Sequence, residues 1–165
     1  MTFRRVLCGG VFGLCIATAV LAQGAPPQPV QWKASLTPSV SLKAGTKAAI
    51  DLSGEVQQGW HVYALTQPAG GPIPLRISLD ENDVAQIHGE TSGTKPIQHH
   101  DTSFDLETQL YQGDFTLHVP VEVKHPTAGK QIIPLSVRFQ ACSDRTCLPP
   151  RTVHLSVPVE VVPGA

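Results

Sequence analysis

Three runs in the last third of the chain alternate apolar and polar residues with a period of two, and this pattern constrains the fold more than any other feature. In Asp114 to Val123 the inward phase is Phe115, Leu117, Val119, Val121 and Val123. In Gln131 to Gln140 it is Ile133, Leu135, Val137 and Phe139, and in Thr152 to Val161 it is Val153, Leu155, Val157, Val159 and Val161. Successive side chains of a strand point to opposite faces, so each run predicts a half-buried strand. Val30 to Thr37, Lys47 to Val56, Trp60 to Leu65 and Leu75 to Asp80 are further strand candidates. The 15 prolines and 14 glycines punctuate these runs and argue against long helices. Pro120, Pro134 and Pro158 fall on the outward phase, which predicts edge strands or bulges. Short strands separated by turn signals over this length predict an all-β, immunoglobulin-like β-sandwich with no internal repeat.

The N-terminus reads as an export signal. Arg4 and Arg5 precede a mostly apolar run, Val6 to Ala22, and Val20-Leu21-Ala22 offers tolerated residues at the cleavage positions. The run is short for a membrane span and holds Gly9, Gly10 and Gly13. The expected organisation is therefore a signal peptide at 1–22, a flexible Pro/Gln/Gly leader at 23–29, and one sandwich domain at 30–165. No later segment is apolar enough to span a bilayer, so no stable membrane insertion is expected after cleavage. Losing Arg4 and Arg5 leaves ten basic against thirteen acidic residues, a net charge of −3. That charge is mild and evenly spread. It gives no footprint for nucleic acid or an anionic membrane.

Cys8 and Cys15 leave with the signal, so the mature domain keeps Cys142 and Cys147. Two cysteines in an exported domain most simply pair. Ser143-Asp144-Arg145-Thr146 between them is polar and turn-like, which puts both at the mouth of a hairpin. A bond across so small a loop contributes roughly 2 kcal/mol by loop entropy, and it joins strands already joined by the turn. Arg145, between the sulfurs, is a candidate to favour a thiolate, with Asp144 opposing it. The chemistry alone leaves a structural staple and a redox centre level.

The segments Val137-Arg138-Phe139-Gln140-Ala141-Cys142 and Cys147-Leu148-Pro149-Pro150-Arg151-Thr152-Val153 resemble the active-site hairpin of the N-terminal domain of the thiol:disulfide interchange protein DsbD family. Gly59-Trp60-His61-Val62-Tyr63 is similar to that family's Gly-aromatic-x-aliphatic-Tyr strand, and Thr66 to Pro72 to the loop after it. Leu110-Tyr111, Phe115-Thr116-Leu117 and Pro120-Val121 fit the strand after the family's cap loop. The resemblance implies an immunoglobulin-like domain that carries electrons in the periplasm without a cofactor, as a thiol-disulfide oxidoreductase. It implies thioredoxin-like partners, among them disulfide isomerases and cytochrome c maturation factors. By position it makes Cys147 the nucleophile and Cys142 the resolving cysteine, with Phe104 as the cap aromatic and His61 and Tyr63 flanking the site. Two departures stand out. The best-known members have five residues between the cysteines where this chain has four, and no membrane part follows, so a separate membrane electron donor is expected.

Each of these residues also has a plainer reading. Phe104 can be an ordinary loop aromatic, and His61 and Tyr63, which share one strand face, can be core-edge residues. His99 and His100 with Asp101 read as a solvated loop and not as a metal site, because adjacent residues on an extended chain point apart. Ser136 lies in no nucleophile motif. Three functions follow: a monomeric thiol-disulfide carrier, an immunoglobulin-like binding module with a structural disulfide, and a metal carrier built on the cysteines and a nearby histidine.

Overall fold

The computed structural model describes residues 27–37, 41–124 and 126–163. The expected signal at 1–22 and the leader as far as residue 26 lie outside the described residues, and residues 27–29 run without strand structure into the first strand. Among the described residues there are twelve strands and no helix. They are β1 (Val30–Thr37), β2 (Lys47–Val56), β3 (His61–Tyr63), β4 (Arg76–Leu79), β5 (Ala85–Ile87) and β6 (Ser92–Gly93). β7 (Ile97–Asp101), β8 (Leu106–Tyr111), β9 (Asp114–Val123), β10 (Gly129–Phe139), β11 (Ala141–Cys142) and β12 (Arg151–Val161) follow.

The strands form three antiparallel sheets. The first runs β1-β2-β9-β5, with β6 also on β9; the second runs β12-β10-β4; the third runs β11-β3-β8-β7. The periodic runs become β9, β10 and β12, and their inward residues build the core. Ile50, Leu52, Val119 and Val121 of the first sheet belong to one buried cluster with Ile133, Leu135, Val137 and Val157 of the second. The structure is thus the expected all-β, immunoglobulin-like sandwich. Leu42 closes part of its rim: its amide donates to the Glu160 carbonyl, and its own carbonyl accepts from Val162.

The prolines depart from the edge-strand expectation. Pro158 does lie on β12, the outer strand of its sheet, but Pro120 and Pro134 lie on β9 and β10, which have neighbours on both sides. The Pro120 carbonyl accepts from the His88 amide at 2.9 Å, and that of Pro134 from the Asp80 amide at 3.1 Å. His88 and Asp80 are the first residues past the ends of β5 and β4. In an antiparallel ladder a residue's N–H and C=O face the same neighbour, so each missing N–H points to where that neighbour leaves the sheet. Inner strands therefore accept these prolines.

Two expected strands are shorter than their apolar runs. Trp60 to Leu65 contracts to β3, and Leu75 to Asp80 to β4. The Trp60 amide is turned to the Gln57 carbonyl in the preceding turn, which delays β3. Beyond β3 the loop is tied to β8 by a side chain. The Gln67 amide group donates to the Gln109 carbonyl at 2.6 Å and accepts from its N–H at 3.3 Å, imitating a strand partner.

Candidate functional site

The third sheet turns one face to the core and bears the site on the other. On β3, Val62 joins the main core, whereas Tyr63 packs in a separate small cluster with Leu110 and Cys142. Alternation gives His61 the same face as Tyr63. On β11 the phases divide in the same way: Ala141 faces the core and Cys142 the site.

Cys142 and Cys147 are bonded, with Cα atoms 4.0 Å apart. The hairpin that carries them is tight for local reasons. The Ser143 amide donates to the Thr146 carbonyl at 2.8 Å, and the Leu148 amide to that of Ala141 at 2.9 Å. The Ser143 hydroxyl oxygen also accepts from the Arg145 and Thr146 amides, closing a Ser-type turn. The two sulfur-bearing residues are not equivalent. Cys142 is 1 % exposed, while Cys147 is exposed.

Register then lines up three residues across the sheet. Cys142 is directly opposite His61 on β3 and, on its other side, opposite Cys147. Directly opposed residues in an antiparallel pair have Cβ atoms about 4.5–5.5 Å apart. His61, Cys142 and Cys147 thus form a row with the buried cysteine in the middle. His61 is 8 % exposed, and its Nε2 is buried without a hydrogen-bond partner. Burial holds its pKa below the ordinary histidine value, against the opposing pull of Asp101.

The β7–β8 turn covers this row. The Tyr63 hydroxyl donates to Asp101 Oδ2 at 2.6 Å, and the Ser103 amide to Asp101 Oδ1 at 2.9 Å. Burial and then this hydrogen bond push the Tyr63 hydroxyl well above the ordinary tyrosine value. Burial works against the Asp101 carboxylate, but the hydrogen bonds from Tyr63, Ser103 and Phe104 outweigh it and leave its pKa lowered. The Phe104 ring stands edge-on to Tyr63, with centroids 6.4 Å apart, and the His61 ring lies edge-on to Tyr63 from another side at 5.1 Å.

The structure therefore brings Cys142, Cys147, His61 and Tyr63 to one recess, with Phe104 against Tyr63 but outside its lining. Arg145 sits in the turn between the cysteines with its side chain exposed, outside the recess. The acids Asp101 and Asp144 line the recess together with histidines 61, 99 and 100. Asp101 is the residue the sequence reading passed over in this role. Its signal was the sequence Asp101-Thr102-Ser103, an aspartate two residues before the amide it accepts from. His99 and His100 lie on β7 and not in a loop, because β8 supplies a full antiparallel ladder beside them. Among the described residues no three His, Cys, Asp or Glu side chains are grouped to hold a metal ion.

A Ser-His-Asp contact does exist elsewhere. The Ser136 hydroxyl donates to Asp80 at 2.6 Å and lies 2.8 Å from His154 Nδ1. That same Nδ1 is 3.2 Å from Asp80, so one ring nitrogen meets both partners. A catalytic triad uses the two nitrogens separately, one for the serine and one for the acid. This cluster is a polar clasp between β4 and β10–β12.

Fold and site together define an immunoglobulin-like sandwich domain with a disulfide in a short hairpin, one cysteine buried and one open, under an aromatic-bearing turn. A family model described as the N-terminal domain of the thiol:disulfide interchange protein DsbD matches residues 27–158, and the chain belongs to that family. A solved complex between the DsbD N-terminal and PilB N-terminal domains of Neisseria meningitidis is similar in fold. It is 11 % identical with a TM-score of 0.53, covering 82 % of this chain and 87 % of that one. The reduced DsbD N-terminal domain of Neisseria meningitidis aligns at 16 % identity and a TM-score of 0.48, over 71 % of this chain and 82 % of that one. The N-terminal periplasmic domain of ScsB from Proteus mirabilis aligns at 16 % identity and a TM-score of 0.47, over 79 % of this chain and 45 % of that one. No curated protein matches the sequence. Among the described residues no helix is long and apolar enough to cross a membrane.

Proposed function

We propose that the domain is a periplasmic thiol:disulfide exchanger that passes electrons to thioredoxin-like partners through the Cys142/Cys147 pair. The observation that carries this reading is the asymmetry of the pair: Cys147 is exposed and Cys142 is 1 % exposed. A partner disulfide can reach only the open sulfur. The Cys147 thiolate attacks one sulfur of that disulfide, a mixed disulfide forms, and the partner's other sulfur leaves as a thiolate. Cys142 then attacks the Cys147 sulfur, which releases the partner fully reduced and leaves Cys142–Cys147 oxidised. Two electrons pass to the partner in each cycle. A thiol reductant, fed from the membrane, restores the dithiol.

Phe104 takes the cap role only by the family resemblance; it stands edge-on to Tyr63, outside the lining of the cysteine recess. Arg145 adds a positive field near Cys147 that solvent and salt screen, because its side chain is exposed. The test is trapping with an oxidised thioredoxin-like protein. Cys142→Ser accumulates the mixed disulfide, and Cys147→Ser forms none. Trapping by the opposite variant would reverse the roles. No trapping by either would leave an immunoglobulin-like binding module with a structural disulfide.

A further inference from the structure

We propose that His61 is the proton acceptor for the Cys142 thiol, so that the resolving half of the exchange is base-assisted from inside the sheet. This rests on the exchange reading above and assigns a group to its second step. Cys142 is 1 % exposed, so water reaches its thiol poorly, and a buried thiol resists ionisation. The step nonetheless needs a thiolate at Cys142. The nearest side chain across the ladder is His61, directly opposite it.

His61 is suited to this and to little else that the fold asks of it. The residue is 8 % exposed and its Nε2 has no hydrogen-bond partner. A buried polar atom without a partner costs folding free energy, so its retention calls for a use. In the Nδ1–H tautomer Nε2 holds a free lone pair. Tyr63 and Asp101 are already committed to one another at 2.6 Å, and of the other bases lining the recess, Asp144, His99 and His100, none stands opposite Cys142 in the ladder as His61 does.

The groups facing His61 set its charge. They are Tyr63 beside it on β3, His99 and Asp101 on β7, and Asp144 in the cysteine hairpin. His100 also lines the recess but is held by Glu107 and Asp105. Burial favours the neutral ring, His99 reinforces that, and Asp101 and Asp144 oppose it; the net direction is downward. A neutral imidazole at neutral pH is the form that accepts a proton. In the step itself Cys142 Sγ–H gives its proton to Nε2, and the thiolate attacks Cys147 Sγ. The Cys147–partner bond breaks, the partner sulfur leaves as a thiolate, and the imidazolium gives its proton to solvent at the mouth of the recess.

The experiment uses the reduced chain with Cys8 and Cys15 changed to serine, reacted with dithiobis(nitrobenzoate). Attack by Cys147 releases the first thionitrobenzoate, and resolution by Cys142 releases the second. His61→Phe keeps an aromatic ring and is expected to slow the second phase at least about tenfold at neutral pH, leaving the first within about twofold. His61→Gln, polar but not basic, is expected to match it. The wild-type second phase should rise through a titration below the ordinary histidine range and then level. In both variants it should instead keep rising toward the thiol range. An unchanged second phase with an unchanged pH profile in either variant would overturn the proposal. A wild-type chain that releases neither equivalent would overturn the exchange reading instead.

Discussion

Asp101 is 6 % exposed yet its carboxyl is held below its ordinary value of 3.8, because three donors converge on it. The Tyr63 hydroxyl reaches one oxygen from β3, and the Ser103 and Phe104 amides come from the turn that Asp101 itself begins. One carboxylate thus fixes the ring that flanks the cysteines and the loop that covers them. A carboxyl whose folded pKa lies below its unfolded one stabilises the fold fully above the unfolded value. That stability is lost as pH falls through the folded value. Asp101→Asn should be about 1–2 kcal/mol less stable at neutral pH, since hydrogen bonds to a charged group are the stronger kind. The gap should close as pH is lowered past the ordinary aspartate range, as measured by denaturant unfolding at several pH values. A gap independent of pH would mean that the carboxylate charge is not what matters there. The cysteines were marked by their place in a turn, and His61, Tyr63 and Phe104 only by the family resemblance; the fold then sets His61 and Tyr63 beside the cysteines and Phe104 against Tyr63. Asp101 was not legible in the sequence, since its partner Tyr63 is distant in the chain and only the folded ladder β3-β8-β7 joins them.

At the scale of elements, the packing of β1, β2 and β9 in the first sheet leaves no room for a side chain at Gly54. Gly54 on β2 lies between Trp32 on β1 and Phe115 on β9 in register. A Cβ there would sit 2.5 Å from the Phe115 ring and 3.2 Å from that of Trp32. The two rings meet edge to face, with centroids 5.6 Å apart, over the space that the missing side chain leaves. Gly54→Ala should therefore cost about 1–3 kcal/mol through overpacking, read as a lower denaturation midpoint. The folded fraction should keep normal thiol release, because Gly54 belongs to a different sheet from the cysteines; altered release would show that the first sheet also shapes the site. The long strands β1, β2, β9, β10 and β12 could be read from the sequence, because one of their faces is buried and the alternation records it. β5 to β7 could not. β6 is Ser92–Gly93, and four of the five residues of β7 are exposed, so no apolar phase marks them. Backbone pairing to β8 and β9 holds them in place.

On the scale of the whole molecule, the bond between Cys142 and Cys147 and the fold around it are linked. Whatever stability the disulfide gives the sandwich, the sandwich returns as resistance of that bond to reduction. Here the return is small. The sequence separation is 5, so the bond closes a loop worth only roughly 2 kcal/mol, and it joins no two sheets. At about 30 mV for each 1.4 kcal/mol, that lowers the reduction potential by roughly 40 mV, a modest increment beside the span of natural couples. The core between the first two sheets does not include the hairpin sulfurs, so the reduced chain is expected to keep its fold. Equilibrating the domain against glutathione buffers and trapping free thiols should give a potential between about −120 and −270 mV, the range of proteins that exchange disulfides. Reduction should also leave the unfolding transition cooperative and only slightly lower. A potential well below about −300 mV would instead make the bond a staple, and the open face of Cys147 would then belong to a binding module and not to a carrier of electrons.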